Sequence, residues 1–374
     1  MLHIRRIELR EIRLPLREPF RISSGVMADR RILLLELVDG DGVAAWAECV
    51  ADELPNYSPE TVDTARLALR DWLAPRVLGR SFDSAQDVWP VLDRDIRGHR
   101  MAKAAIEMGA WALEAERTGR PLAALLGGTR DRIEVGISLG IQPTPAALVE
   151  RAAAALAQGY RKIKLKIQPG ADVDYVAAVR EALGPAAPLM ADANNAYTLE
   201  DADHLRRLDA FGLVMLEQPL EHEDLRRHAE LQRRLQTPLC LDESITSLAR
   251  AQDMIALEAG RIINIKPGRV GGFLPSRQIH DLCAAHGIPV WCGGMLESGI
   301  GRAHNVALAS LPGFTIPGDV SPSARYWDRD IVAPEWTMAA DGTMAVPLGR
   351  AGIGVTVDRD RIDDLTVHAE SLRP

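Results

Sequence analysis

The chain has 374 residues and a formal net charge of −8, from 44 Lys and Arg against 52 Asp and Glu. Its hydrophobic content of 47% and charged content of 26% are those of a globular protein and exclude disorder, collagen and a disulfide-stapled miniprotein. The acidic balance argues against nucleic acid or an anionic membrane as partner, because both select basic surfaces.

No apolar run approaches the roughly 18 residues that span a bilayer. The opening MLHIRRIELREIRLPL alternates apolar and charged residues and lacks a signal-peptide core. Cys49, Cys240, Cys283 and Cys292 show no C-x-x-C spacing and read as free thiols of a cytoplasmic protein.

Residues 3–15 and 30–48 have strand character, and Asp39-Gly40-Asp41-Gly42 within the second run is a hairpin signal. The same string lacks the later bidentate Glu that an EF-hand loop requires. Helical patterns follow over 58–73 and 100–118, and Gly127-Gly128 marks a stop. Residues 1–127 thus read as an α+β unit.

From Ile133 the chain alternates strands and helices. Short apolar strands fall near 133–139, 161–167, 187–192, 213–217, 238–242, 261–266, 288–292 and 314–316. Amphipathic helices lie between them, among them 146–157, 199–208, 225–235 and 277–286. Eight strands with about seven helices fit a closed (β/α)7β TIM-like barrel over 128–320 better than an open sheet. The weakly periodic segment 321–374 is expected to pack back onto the first unit and complete a capping domain.

A parallel barrel carries its chemistry at the C-terminal ends of its strands. The second strand reads Lys162-Ile163-Lys164-Leu165-Lys166, so period two puts its lysines on one face and its apolar residues on the other. The apolar face must meet the outer helices, which turns the lysines inward. The next three strands end in Asp192, Glu217 and Asp242, about 25 residues apart. Three clustered carboxylates repel unless they share a cation, and an all-oxygen set selects a hard divalent ion such as Mg²⁺. The competing reading makes each acid a cap for its following helix. The sixth strand ends in Lys266, across the barrel from Lys166. A lysine works as a base near neutral pH only with a lowered pKa, and Lys164, the ion and partial burial are expected to lower it. Gly299-Ile300-Gly301-Arg302 matches no nucleotide loop and reads as a helix N-terminus presenting N–H groups to the substrate end.

These strand ends resemble the enolase superfamily in its muconate-lactonising-enzyme subgroup, and most nearly the o-succinylbenzoate synthase/N-acylamino acid racemase family. The resemblance rests on Lys164-Leu165-Lys166, Asp192-Ala193-Asn194, Ile265-Lys266-Pro267-Gly268-Arg269 and Trp291-Cys292-Gly293-Gly294-Met295-Leu296-Glu297-Ser298. It implies Lys166 and Lys266 as the acid/base pair and Asp192, Glu217 and Asp242 as ligands of Mg²⁺, with Mn²⁺ as a substitute. It implies that Lys164 lies against the substrate carboxylate, and that Ser138, Asn194 and the Gly294, Met295 and Leu296 backbone line the substrate site. Glu243 is expected to cap a helix or support this set. Arg269 matches a position typical of the racemising branch. Residues 19–26 and 48–57 look like the loops that close over the barrel.

The implied reactions are dehydration of SHCHC to o-succinylbenzoate in menaquinone biosynthesis and racemisation of N-succinylamino acids, on a small-molecule carboxylate and in a homo-oligomer. Muconate cycloisomerase and dipeptide epimerase are the alternatives within the superfamily, although Asp319-Val320-Ser321 lacks the second Asp of the epimerases. An inert metal-binding barrel scaffold is the alternative outside enzymes.

Overall fold

The strand Leu2–Ile22 (β1) buries Leu2 and Ile4, then Ile7 and Leu9, then Ile12 and Leu14. Strict period two would put Ile7 and Leu9 on the opposite face from the others. A register shift between Ile4 and Arg6 turns Ile7 and Leu9 to the face of Leu2 and Ile4, whereas unbroken pairing with the next strand from Arg6 to Pro15 puts Ile12 and Leu14 on the opposite face, and both faces of the sheet are buried. In this computed structural model, which describes residues 1–23 and 25–374, β1 pairs antiparallel with Gly25–Asp39 (β2), and β2 with Ala44–Cys49 (β3). The β2–β3 turn is closed by the Asp39 carboxylate, which accepts the N–H groups of Asp41 and Val43.

The predicted helix over 58–73 begins later, at Val62, because Thr61 and Thr64 form a capping box. The helix Arg100–Thr118 (α1) has the predicted bounds and is buried along nearly its whole length. Gly109 lets it lie close on the sheet, since a Cβ there would come within 2.7 Å of Leu37 Cδ1.

The second unit is a curled parallel sheet of seven strands. These are Gly136–Leu139 (β4), Lys162–Lys166 (β5), Leu189–Asp192 (β6), Leu216–Glu217 (β7), Leu239–Leu241 (β8), Ile262–Ile265 (β9) and Val290–Cys292 (β10). They run in chain order across the sheet, with crossover helices that include Pro145–Ala157 (α2), Leu225–Arg234 (α3) and Phe273–Ala285 (α4). Gly299–Ala309 (α5) follows β10. Residues 199–208, read as one helix, form three short turns of 3₁₀ and α type across Leu199–Phe211.

The expected eighth strand at 314–316 is reduced to isolated parallel bridges, Val290 with Phe314 and Val135 with Gly318. Pro317 has no N–H to give a ladder there. Closure rests instead on Gly136 N–H to Gly318 O and Asp319 N–H to Cys292 O. Inside the barrel Met190, Met215, Cys240, Ile262 and Trp291 form a separate apolar cluster that floors the site.

The C-terminal segment divides between the two units. Thr366–Leu372 (β11) pairs with β1, whereas Thr343–Ala345 pairs with Arg132–Glu134 at the start of the barrel. Among the described residues no helix is long and apolar enough to cross a membrane.

Candidate active site

Alternation along β5 does what the sequence demands: Ile163 and Leu165 are wholly buried in the apolar core, and Lys164 and Lys166 turn to the barrel axis. Lys166 Nζ donates to Asp192 Oδ2 at 2.7 Å and to Asn194 Oδ1 at 2.5 Å. Lys164 Nζ lies 3.2 Å from Asp192, 3.2 Å from Glu217 and 2.6 Å from Asp319. Lys162, one step deeper, sits 3.4 Å over the Trp291 ring and 3.3 Å from Asp319. On the far side Lys266 Nζ donates to Asp242 Oδ2 at 2.7 Å.

Arg269 does not touch Lys266. Its guanidinium pairs with the other oxygen of Asp242, donates to Tyr57 Oη at 3.2 Å and is anchored on Ile245 O at 2.8 Å. Tyr57 comes from the capping domain. Its hydroxyl donates to Asp242 Oδ1 at 3.0 Å and accepts from Lys266 Nζ at 3.1 Å. Glu243 caps no helix; it accepts from the amides of Asn194 and Asn195 and so holds the partner of Lys166.

Burial is the largest single influence and lowers the pKa of the ammonium, but the Asp242 carboxylate and Tyr57 together hold Lys266 above the usual lysine value. Arg269 and Lys164 oppose that rise. The expected lowering at Lys266 is therefore absent while Asp242 is its direct partner. Lys164 is likewise held charged against its burial by Asp319, Glu217 and Asp192.

Lys166, Lys266, Asn194, Gly294, Met295 and Leu296 line one cavity of about 210 Å³, roofed by Phe20, Val26, Met27, Leu54 and Tyr57 of the capping domain. Lys164 and Ser138 lie outside that lining. Lys164 sits among the acids, and Ser138 is buried with its hydroxyl unpartnered. Asn194, Asn195, Gln218 and Leu296 all adopt positive φ where the chain turns away from the barrel mouth, a conformation that costs a non-glycine residue and concentrates at functional sites. The start of α5 does not offer N–H groups to a substrate. Those of Ser298 and Gly301 go to the Glu48 carboxylate, that of Gly299 to Asp330, and that of Ile300 to Ser298 Oγ.

Four residues at the site had no role assigned from the sequence, although Asp319 lies in the segment set against the epimerase pattern and Tyr57 in the 48–57 loop. Asp319 neutralises Lys164, and Asn264 donates to Glu217 Oε1 at 2.7 Å. Gln218 accepts the N–H groups of Asp242 and Ser244 and so ties β7 to the end of β8. Tyr57 is the fourth. Asn264 carried a usable signal, because it lies two residues before Lys266 on the inward face of β9.

Among the described residues no three His, Cys, Asp or Glu side chains converge at metal-ligating distance, since ammonium groups lie between the acids. The donor chemistry nonetheless fits a hard cation. Asp192, Glu217 and Asp242 are fully buried all-oxygen donors on adjacent strands. They face one another closely enough that burial and the carboxylates of Asp192 and Asp242 push the Glu217 carboxyl up.

Comparison with known proteins agrees with this geometry. Residues 147–361 match the model of the enolase C-terminal domain-like family, and residues 4–127 that of the mandelate racemase/muconate lactonizing enzyme N-terminal domain. The chain is 49% identical to an o-succinylbenzoate synthase of Geobacillus stearothermophilus over 369 residues, covering 99% of this chain and 97% of the relative. It is 50% identical to an N-succinylamino acid racemase of an Amycolatopsis species over 360 residues, 96% of each. An enolase superfamily member from Listeria innocua superposes over all of both chains with a TM-score of 0.96 at 38% identity. The chain therefore belongs to the enolase superfamily, with o-succinylbenzoate synthases and N-succinylamino acid racemases as its relatives.

Proposed function

We propose that this protein removes the proton α to a substrate carboxylate to give an enediolate, and that it uses this step both to dehydrate SHCHC to o-succinylbenzoate and to racemise N-succinylamino acids. The observation that carries the reading is that Lys166 and Lys266 enter one cavity from opposite sides of the barrel. For racemisation one lysine takes the proton from one face of the α-carbon and the other returns a proton to the opposite face. For synthesis Lys166 takes the α-proton and delivers it to the departing hydroxyl on the same face. Lys266 stays charged beside the enediolate, a state its pairing with Asp242 favours.

Asp192, Glu217 and Asp242 would hold Mg²⁺, or Mn²⁺ in its place. When bound, this ion supplies a fixed positive charge for the substrate carboxylate and for the charge that develops as the α-proton leaves. Lys164, held charged below the cavity, adds to the same field. Asn194 and the 294–296 backbone orient the substrate, and the capping-domain roof excludes water. The four cysteines are free and buried, which supports a cytoplasmic location.

The test is deuterium entry at the α-carbon of N-succinylamino acids in D₂O, alongside absorbance-monitored dehydration of SHCHC. Both should occur with Mg²⁺, stop on chelation and return with added Mg²⁺ or Mn²⁺. Absence of both reactions in the metal-replete protein overturns the reading.

A further inference from the structure

One guanidinium joins three segments that the sequence keeps far apart. Arg30, on β2, is 1% exposed. Its Nη2 donates to Val50 O at 2.8 Å and to Met295 O at 3.2 Å, and its Nη1 donates to Ala51 O at 3.2 Å. Asp52 pairs with it at 2.8 Å. Val50, Ala51 and Asp52 begin the capping loop that ends at Tyr57, whose hydroxyl sits on Lys266, Arg269 and Asp242. Met295 belongs to the peptide that lines the cavity beside Lys266, and the next residue, Leu296, is held at a φ of 55°.

Neighbouring groups reinforce the same link. Glu48, two residues before Val50, accepts the N–H groups of Ser298 and Gly301 and the Ser298 hydroxyl. Glu297 accepts the Met295 N–H and the Asn305 amide. The peptide carrying Met295 is thus fixed on one side by the barrel and on the other by the capping domain, with Arg30 the only group that touches both Met295 and the 50–52 backbone among the bonds described.

We propose that Arg30 is a positioning residue that locks the Tyr57 loop to the 294–296 peptide, so that the Lys266 side of the cavity is assembled only when both are seated. It touches no reacting atom. Its effect is one-sided: Tyr57 contacts Lys266, whereas Lys166 is held by Asp192 and Asn194 from β6 and the turn after it. The functional half of this proposal rests on the two-lysine reading above. The structural half does not.

Two measurements separate the halves. The first is amide hydrogen exchange on the full chain without substrate. In Arg30→Met, segments 50–57 and 293–301 should both exchange faster, by about tenfold or more, with the rest of the barrel unchanged. The second is α-proton exchange of each N-succinylamino acid enantiomer. The enantiomer whose exchange is lost in Lys266→Ala should slow in Arg30→Met toward the roughly 10²-fold cost of a misplaced group, and the other should slow far less. Acceleration of one segment alone, uniform acceleration throughout, or equal slowing of both enantiomers overturns the proposal. If the wild-type protein exchanges neither enantiomer, the proposed function fails and hydrogen exchange alone decides the clamp. Asp52→Asn, which leaves the guanidinium in place but removes its ion pair, is expected to give the same pattern in weaker form should Arg30→Met fail to fold.

Discussion

Two regions of this protein bury charge, and they do so by different means. At the barrel mouth, Lys164, Lys166, Lys266 and Arg269 meet Asp192, Glu217, Asp242 and Asp319, so each charge is answered by another side-chain charge. At the seam between capping domain and barrel, Glu48 and Glu107 are answered mainly by backbone N–H groups. Glu48 takes those of Ser298 and Gly301 at the start of α5, and Glu107 those of Phe273 and Leu274 at the start of α4. Backbone donors cannot leave, whereas a lysine side chain can swing. The mouth is an arrangement that a substrate can redistribute, and the seam is a frame that holds it.

The sharpest way to break that contrast is to remove a mouth charge. A positioned general base contributes about 10²–10⁴-fold, so Lys166→Ala and Lys266→Ala should each nearly abolish racemisation. Each should leave slow exchange of one enantiomer only, followed by NMR in D₂O. Lys266→Arg keeps the charge but is a poor base, and should retain measurable SHCHC dehydration while losing racemisation. Equal slowing of both enantiomers in Lys166→Ala would show that the two lysines do not serve separate faces.

Arg269 tests the mouth more gently. It shares Asp242 with Lys266, and its charge opposes the rise that Asp242 causes in the Lys266 pKa. Arg269→Gln frees Asp242 to hold Lys266 more tightly in its charged form. Lys266 must lose its proton in racemisation but stays charged in synthesis. The variant should therefore lose racemase kcat/KM by about tenfold more than synthase kcat/KM, a difference of roughly 1.4 kcal/mol in barrier. Equal losses in both assays count against this account.

The mouth was largely legible in the sequence and the seam was not. Lys166, Asp192, Glu217, Asp242 and Lys266 lie at strand ends and Lys164 shares the inward face of β5, so period two and a repeat of about 25 residues brought these six together on paper, whereas Asp319, beyond the strand that does not form, was left out. What that reading missed was direct pairing: it foresaw a lowered lysine pKa from like charges and overlooked that Asp242 would sit on Lys266. The seam is built from contacts with no local signature. Arg30 reaches Met295 across 265 residues, Glu48 reaches Ser298 across 250, and Glu107 reaches Phe273 across 166. Only Glu107 left a trace, as a lone acid within Ala104-Ala105-Ile106-Glu107-Met108-Gly109 of a helix apolar on nearly every side. The eighth strand failed for a local reason, since Phe314-Thr315-Ile316 beside Pro317 has the composition of a strand without the donor a ladder needs.

The smallest effect separates the seam by stability alone. Glu107 is fully buried, accepts the Phe273 and Leu274 N–H groups and the Trp111 indole, and is pushed up to about 7 by burial. Gly272 makes room for it, since a Cβ there would lie 2.2 Å from Glu107 Oε2. In the unfolded chain a glutamate titrates near 4.3. Between that value and about 7 the folded protein holds a proton that the unfolded chain has released. The resulting stabilisation is fully present below the unfolded value and is lost as pH rises through the folded one. Glu107→Gln cannot titrate, and it turns an amide donor toward one of the N–H groups the carboxylate accepted. The variant should unfold at lower urea concentration than the wild type, and between pH 5 and pH 7.5 the gap between the two should be widest at the acid end. By pH 7.5 it should narrow by about 1–3 kcal/mol. Chemical denaturation of both proteins across that range measures it. A gap that stays constant, or widens with rising pH, would mean that Glu107 is already ionised at pH 5 and that its N–H partners offset its burial completely.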